Sequence, residues 1–510
     1  MRISQRQQKN SDSYPITMDS TIIINFHGGI ISPGNLYNIL VAATKARIQF
    51  VRFGLRQQLF FDTTSYHITL CTDELDRLGI DYEVDTAHFP NIISSYPAEE
   101  IFIRNTWLTG GVYKDVLDAI NFKPSFKVNI CDSDQSFTPM LTGNINWIAS
   151  PNAEHYWHLI IRFPKTNVTY QWTELCYTNH IARVTKDLET IINSHPAEFI
   201  DNKAASGEAL FALLNQENLI LRPAENAVSL SSFNLPYYEG LNRYNNKYWL
   251  GIYCRDELFS TAFLKKLCQL CLYTKLGQLC CTPWKTIIVK GIDENHSNLW
   301  NALLEEFQLN MRHAANELNF QVEDNCTEGL ELKNYLVKHL SIDDTRTSGI
   351  CFGIKTRKKS EIFSSILIRK RHLVNLAGLK LFPVYDLLCA KGFNPNERTG
   401  EVFSSGNLRF ILPEQLRRAV IKFSKHRLNL VIPDQQKYIA PPEEAVQKEP
   451  EYLYQCKSCL TVYNERTGEA GHNIEPGTAF ADLPENYCCP LCEGKKDNFS
   501  RINRSELQLL

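Results

Sequence analysis

The chain has 510 residues, of which 44% are hydrophobic and 22% are charged, and its formal net charge at pH 7 is −2. One hydrophobic core does not organise a chain of this length, so several domains are expected. The near-neutral charge argues against nucleic acid or an anionic membrane as a partner. No apolar run approaches the ~20 residues of a membrane helix. The polar N-terminus lacks the apolar core of a signal peptide, so we expect a cytoplasmic protein.

The first predicted elements form a strand–helix–strand unit. Residues 1–20 are polar and are expected to be a disordered tail, whereas residues 21–26 are typical of a short apolar strand. A helix is predicted to begin near Ser32, and its apolar residues recur at helical spacing at Leu36, Ile39, Leu40 and Ala43. Residues 48–56 then alternate in the manner of a strand.

The same order of elements recurs about 230 residues later, as expected for an internal repeat. Residues 248–253 read as a strand, residues 263–273 as a helix, and residues 279–289 as the strand that follows. An alignment of the two copies with a single-residue gap pairs Leu36 with Leu264, Arg52 with Cys281, and Arg56 with Lys285. The sequence therefore predicts an α+β body with two related halves.

The domain boundaries follow from this repeat and from a change in composition. We predict a first half over residues 21–200 and a second half over residues 201–431. Residues 432–451 are rich in Pro, Glu and Gln and are typical of a semi-rigid linker. Residues 452–510 then form a small cysteine-rich domain.

Five of the sixteen cysteines lie between Cys456 and Cys492, which indicates a local metal site and not a disulfide scaffold. Two Cys-x2-Cys pairs supply the predicted ligands, which are Cys456, Cys459, Cys489 and Cys492. Each two-residue gap allows one tight turn to present both sulfurs to one ion, and four thiolates suit iron or zinc. Cys488, next to a ligand, is expected to point away from the metal.

The residues around these pairs closely resemble the rubredoxin family. The matching residues are the stretch 474–484, the stretch 489–492, Tyr454, Tyr463, Tyr487 and Phe499. The resemblance implies one iron ion per chain on the four cysteines, an aromatic core beneath the metal, and outer-sphere transfer of single electrons. Zinc is the alternative metal, and with zinc this domain would be only a stabilised binding module.

Two positions depart from the rubredoxin pattern. The family places Gly after each Cys-x2-Cys pair, where the backbone turns with φ > 0, whereas this chain has Leu460 and Glu493. A left-handed conformation costs a residue other than glycine about 1 kcal/mol. We therefore expect strained turns beside the metal.

The first half resembles the ferredoxin-like half-domain of nitrite and sulfite reductases. The similar segments are residues 28–34, 52–57, 104–106 and 126–130. The resemblance implies that Arg52 and Arg56 hold the carboxylates of sirohaem, a tetrapyrrole, because guanidinium groups bind carboxylates well. Structural salt bridges are an equally plausible role for two strand arginines.

The resemblance to the reductases does not extend to the cysteines that bind their iron–sulfur cluster. Those enzymes bind a [4Fe–4S] cluster through Cys-x5-Cys and Cys-x3-Cys, whereas residues 106–111 contain no cysteine and the second location offers only Cys131. Four other cysteines are predicted to be core residues, namely Cys268, Cys271, Cys280 and Cys281.

Three functions follow from these observations. The first is an electron carrier whose partner is a redox protein, either donor or acceptor, with the body as its scaffold. The second is a sirohaem-type reductase that receives electrons from the small domain, so that enzymatic activity is left open. The third is the zinc-stabilised binding module.

Overall fold

The computed structural model describes residues 20–103, 107–230, 233–357, 362–376, 379–396, 400–431, 452–469, 472 and 474–503. Contacts divide the chain into two compact units, Met1–Val431 and Ile432–Leu510. The predicted tail lies outside the described residues except for Ser20, and the predicted linker lies outside them entirely. No helix in the described residues is both long enough and apolar enough to cross a membrane.

The first unit contains both helices and strands throughout. Its strands are β1 Ser20–Asn25, β2 Ile30–Ile31, β3 Phe50–Phe53, β4 Gln58–Thr63, β5 Glu83–Val84, β6 Ile93–Ser94, β7 Val128–Cys131, β8 Ile145–Ala149, β9 Tyr156–Arg162, β10 Thr169–Gln171, β11 Glu174–Tyr177, β12 Leu221–Pro223, β13 Gly240–Tyr244, β14 Lys247–Ile252, β15 Phe259–Ser260, β16 Leu279–Cys281, β17 Ile287–Ile292, β18 Phe320–Val322, β19 Phe352–Lys355, β20 Ile366–Leu376, β21 Leu379–Ala390 and β22 Gly400–Asn407. Its helices are α1 Pro33–Lys45, α2 Ile68–Arg77, α3 Gly110–Ala119, α4 Ile181–Ser194, α5 Pro196–Phe199, α6 Gly207–Ala212, α7 Thr261–Tyr273, α8 Ser297–Glu306, α9 Ala315–Leu318, α10 Thr327–Ile342 and α11 Leu412–Val431.

The two halves of the first unit exchange edge strands. One sheet has the order β15-β3-β4-β1-β5 and the other has the order β13-β14-β17-β16-β2, so each half contributes a strand to the sheet of the other. Helices α1 and α7 pack against each other, and one hydrophobic core contains residues from both halves. The side chain of Ser32 caps α1 by accepting a hydrogen bond from the backbone N–H of Asn35 at 3.1 Å, and Pro33 occupies the first turn.

The other two sheets of the first unit repeat one pattern of pairing, which confirms the prediction of two related α+β halves. In the first half β6, β7 and β8 are parallel, and β9 and β11 continue the sheet antiparallel. In the second half β18, β19 and β20 are parallel, and β21 and β22 continue antiparallel. A helix connects the first two strands of each sheet, α3 in one and α10 in the other, as the crossover between parallel strands requires.

The predicted alignment of the two halves is wrong by one residue at residues 52–57, the segment that contains Arg52 and Arg56. The N–H of Gln57 donates to the carbonyl of Gly54 at 3.0 Å, and the N–H of Lys285 donates to that of Thr282 at 3.1 Å. Each closes a turn between two antiparallel strands, so that Lys285 corresponds to Gln57 and not to Arg56. The predicted strand over residues 279–289 is a hairpin, and the predicted strand over residues 48–56 ends at Phe53, because these turns interrupt them.

The second unit is a small sheet with an aromatic core. Its strands are β23 Tyr452–Cys456, β24 Val462–Tyr463 and β25 Phe499–Asn503, and β23 lies in the middle. The buried core contains Cys456, Tyr463, Phe480, Leu483, Tyr487, Cys489 and Phe499, and the remaining predicted aromatic residue, Tyr454, is partly buried and packs against it.

Candidate metal centre

Two turns of matching geometry carry the four cysteines of the second unit. In the first turn the N–H of Leu460 donates to the carbonyl of Cys456 at 2.9 Å, and in the second the N–H of Glu493 donates to the carbonyl of Cys489 at 2.8 Å. Leu460 has a φ of 63° and Glu493 has a φ of 58°. Both residues therefore adopt the left-handed conformation expected for the family's glycines.

The four sulfur atoms converge on one point. All four Sγ atoms lie within 4.8 Å of one another; the Cys456–Cys492 pair is separated by 3.5 Å and the Cys459–Cys489 pair by 3.4 Å. A tetrahedral ion with metal–sulfur bonds of ~2.3 Å requires sulfur–sulfur distances of ~3.8 Å. The arrangement fits one metal ion with four thiolate ligands and leaves no coordination position for a substrate.

Within each turn the two cysteines differ in their exposure to solvent. Cys456 and Cys489, the first of each pair, are buried, whereas Cys459 is partly exposed and Cys492 is exposed. One edge of the sulfur cage is thus open to solvent, and an electron can leave or enter the site there without crossing the aromatic core.

Side chains missed by the sequence analysis also contact the sulfurs. The amide Nδ2 of Asn498 lies 3.7 Å from Cys456 Sγ, and the hydroxyl of Thr461 lies 3.1 Å from Cys459 Sγ. Desolvation raises the pKa of Cys456, but hydrogen bonds from the N–H groups of Ser458 and Cys459 and from the thiols of Cys492 and Cys459 together lower this pKa overall. Asn498 follows the last ligand by six residues, and no motif marks it.

Aromatic residues form the floor of the site as predicted. Tyr454 stacks on Phe480 with a centroid distance of 4.1 Å, and the hydroxyl of Tyr463 donates to the carbonyl of Thr478 at 2.8 Å. The hydroxyl of Tyr487 donates to the Glu469 carboxylate at 3.0 Å. These hydrogen bonds give both tyrosine hydroxyls a partner, so the rings can be buried beneath the sulfurs without an unpaired polar group.

Cys488 lies outside the cage. Its thiol is 3.5 Å from the carbonyl of Asn486, and it is not among the four converging sulfurs. This position agrees with the prediction that adjacent cysteines point in different directions.

The two arginines predicted to clamp a tetrapyrrole contact protein groups. Arg52 forms a salt bridge with Asp62 on the neighbouring strand β4. The guanidinium of Arg56 donates to the carbonyl of Asn91 at 2.6 Å and to that of Val128 at 3.0 Å. Of the other predicted segments, residues 126–130 lead into β7, and residues 104–106 lie outside the described residues.

The cleft beside Arg56 does not fit a tetrapyrrole. Its volume is about 260 Å³, below the ~300–1,000 Å³ of ordinary small-molecule pockets. The Asp324 carboxylate crosses it and accepts the N–H of Leu55 at 3.1 Å, and Lys285 Nζ lies 3.4 Å from the same carboxylate. The Asp324 carboxylate is thus bonded to the backbone of Leu55 and paired with Lys285.

The cysteines of the body are core residues. Cys268, Cys271 and Cys281 belong to the core that contains residues from both halves, whereas Cys280 faces a different core, because neighbours in a strand point to opposite faces. In the part of the chain that the structure describes, the four sulfurs of the second unit are the one group arranged to hold a metal.

Comparisons with known proteins match the second unit by sequence and most of the chain by fold. The family profile named Rubredoxin matches residues 453–499. The chain is 51% identical over 49 residues to a high molecular weight rubredoxin of Moorella thermoacetica, 43% over 60 residues to a rubredoxin of Trichormus variabilis, and 42% over 50 residues to a rubredoxin of Megasphaera elsdenii. These matches cover 10%, 12% and 10% of this chain, and 21%, 54% and 94% of the relatives.

The body is similar in fold to a solved structure. The NirA protein of Mycobacterium tuberculosis superposes with a TM-score of 0.62 at 13% sequence identity, over 80% of this chain and 81% of that one. At this identity the similarity shows the fold alone, and the fold is the nitrite/sulfite reductase type that the sequence predicts. A four-cysteine cluster of the rubredoxin type implies a metal, usually iron.

Proposed function

Because this chain belongs, through residues 453–499, to the rubredoxin family, we propose that it is a one-electron carrier with one iron ion per chain on Cys456, Cys459, Cys489 and Cys492. The observation that carries this proposal is the convergence of these four sulfurs within 4.8 Å. Bound iron supplies a single-electron couple whose four protein ligands exclude a substrate from the metal.

The protein's own groups support electron transfer at this site. The turns place backbone N–H groups and the Asn498 amide near the sulfurs, where donors stabilise added negative charge. Cys459 and Cys492 open to solvent on one edge. We propose that a redox protein, either donor or acceptor, approaches along this edge.

The body is proposed to be a scaffold without a tetrapyrrole. Arg52 and Arg56 contact protein groups, and the cleft between the halves is narrow and crossed by the Asp324 carboxylate. A reductase role has one observation in its favour, the NirA-like fold of most of the chain. We propose, however, that the body retains that architecture and serves the iron site as a support.

A visible absorption spectrum with elemental analysis of the untagged, full-length protein tests these alternatives. We expect one equivalent of iron, and ferric-thiolate bands that bleach on reduction with dithionite. One equivalent of zinc and a colourless protein would instead support the binding module.

The reductase alternative has its own signature. A Soret band of a bound tetrapyrrole, which the double variant Arg52→Ala/Arg56→Ala abolishes, would overturn the proposal for the body. A Soret band that survives the double variant would show that these arginines do not clamp the ring.

A further inference from the structure

A cavity separate from the metal centre and from the cleft lies on one face of the first half's large sheet. Its volume is about 410 Å³, which is within the range of small-molecule sites. Ile148 and His158 enter it from β8 and β9, on the face opposite to the core that Trp147 and Trp157 share with α3 and α4. Much of the lining is apolar, including Ala149, Pro151, Leu175, Ala227 and Val228.

His158 is the buried polar group of this cavity. It is 7% exposed, and its Nδ1 lies 3.5 Å from the side-chain nitrogen of Gln171. The side-chain oxygen of Gln171 accepts the backbone N–H of Val228 at 3.0 Å. Because a backbone N–H can only donate, this bond determines which end of the Gln171 amide faces the imidazole.

The orientation of Gln171 in turn determines the tautomer of His158. An amide nitrogen donates, so Nδ1 of His158 must accept, and the hydrogen of the neutral ring is on Nε2. Burial lowers the pKa of His158, which favours the neutral ring at pH 7. In the described part of the chain no protein group accepts this hydrogen, so its acceptor must come from whatever occupies the cavity, water or a ligand.

The charged groups at this cavity leave no excess positive charge for an anion. Arg222 pairs with Glu225 at 3.2 Å, and Asp134 adds a further carboxylate to the lining. Ser150 already accepts the N–H groups of Asn152 and Ala153. The cavity thus combines largely apolar walls with the neutral Nε2–H donor of His158 and a few other uncharged polar groups, among them Ser150 and Asn152.

We propose that this cavity binds a small, uncharged, largely apolar carbonyl compound whose oxygen accepts the hydrogen of His158 Nε2. Apolar walls favour the hydrocarbon body by its removal from water. The carbonyl oxygen takes the place of water as the acceptor for a donor that the described residues leave without a hydrogen bond.

The test compares two probes of one shape, 9-fluorenone and fluorene, in equilibrium dialysis against the full-length protein. We expect saturable binding of both, with the ketone bound about 3- to 10-fold more tightly because it alone offers an acceptor. His158→Phe should remove this preference and retain binding of the hydrocarbon. His88→Phe, which changes an exposed histidine outside the cavity, should leave both affinities unchanged.

Three results would overturn the proposal. The first is no saturable binding of either probe to the wild-type protein, and the second is a preference for the ketone that persists in His158→Phe. The third concerns Ala227→Trp, a substitution at an exposed lining position that leaves the core intact and should obstruct the cavity. Undiminished ketone binding by that variant would place the binding site elsewhere.

Discussion

Gln57 and Lys285 occupy the same position in two related hairpins, each with a φ of +58°, and yet they make different bonds. The Gln57 amide donates to the carbonyls of Ser94 and Cys281, both at 3.0 Å. Lys285 Nζ lies 2.7 Å from the Glu257 carboxylate, and both side chains are buried. The backbone of the repeat is therefore preserved, whereas the chemistry of its turns has diverged.

The buried Lys285–Glu257 pair predicts a large stability effect. Lys285→Met removes the cation nearest to the carboxylates of Glu257 and Asp324 and leaves Glu257 with the more distant Lys333, whose Nζ lies 3.8 Å away. We therefore expect the free energy of unfolding to fall by about 3–5 kcal/mol. Urea denaturation followed by tryptophan fluorescence measures this, because all seven tryptophans precede residue 432. Lys45→Met removes an exposed pair with Glu74 and should cost under about 1 kcal/mol. Equal losses of unfolding free energy in Lys285→Met and Lys45→Met would contradict the expectation that the buried pair contributes more than the exposed one.

The ligand set is tested by two adjacent cysteines. Cys489→Ser should lose the iron and the visible absorption, because its thiolate is one of four that close the cage. Cys488→Ser should retain both, since this thiol contacts the carbonyl of Asn486 and not the cage. Iron analysis and the visible spectrum provide the measurement. Loss of the iron and of the visible absorption in Cys488→Ser, together with their retention in Cys489→Ser, would show that Cys488 and not Cys489 is the ligand.

Asn498 should tune the reduction potential of the site. Its amide donates toward Cys456 Sγ from 3.7 Å and stabilises the more negative, reduced state. We expect Asn498→Ala to lower the potential by on the order of tens of mV, which corresponds to the loss of one modest hydrogen bond. A spectroelectrochemical titration measures the shift, and Asn486→Ala is the matched control. An unchanged or raised potential in Asn498→Ala would argue against this contact.

The ionised carboxylate of Asp386 should make the stability of the first unit depend on pH. Desolvation raises its pKa, but the N–H of Gly406, the hydroxyl of Ser405 and the guanidinium groups of Arg371 and Arg369 outweigh it and lower this pKa to about 2. A depressed pKa stabilises the fold above the unfolded-state pKa of ~4, and this stability is lost as the pH falls toward 2.

The variant Asp386→Asn tests that dependence. Because both arginines are partly exposed and screened by solvent, we expect a loss on the order of 1–2 kcal/mol at pH 7 that shrinks as the pH approaches 2. Urea denaturation at several pH values gives the two curves. A difference between variant and wild type that is constant from pH 7 to pH 3 would exclude Asp386 as the titrating group.

The sequence by itself determined the metal centre. A Cys-x2-Cys turn is local, so its spacing predicts where both sulfurs point, and the family pattern around it predicts the aromatic floor at Tyr454 and Tyr487. The strand–helix order of each half was also predictable, because hydrophobic periodicity and the Ser32 cap act over a few residues. The boundary placed over residues 432–451 stays a prediction.

Only the tertiary structure decided how the halves combine. The exchange of β2 and β15 between sheets, and the bond from Gln57 to a carbonyl 224 residues away, depend on contacts that no local pattern encodes. The donor Asn498 and the neutral donor His158 acquire their partners in the same way. The role of each of these two residues depends on groups that are distant in sequence and that only the folded structure brings next to it, so it cannot be predicted from a local pattern.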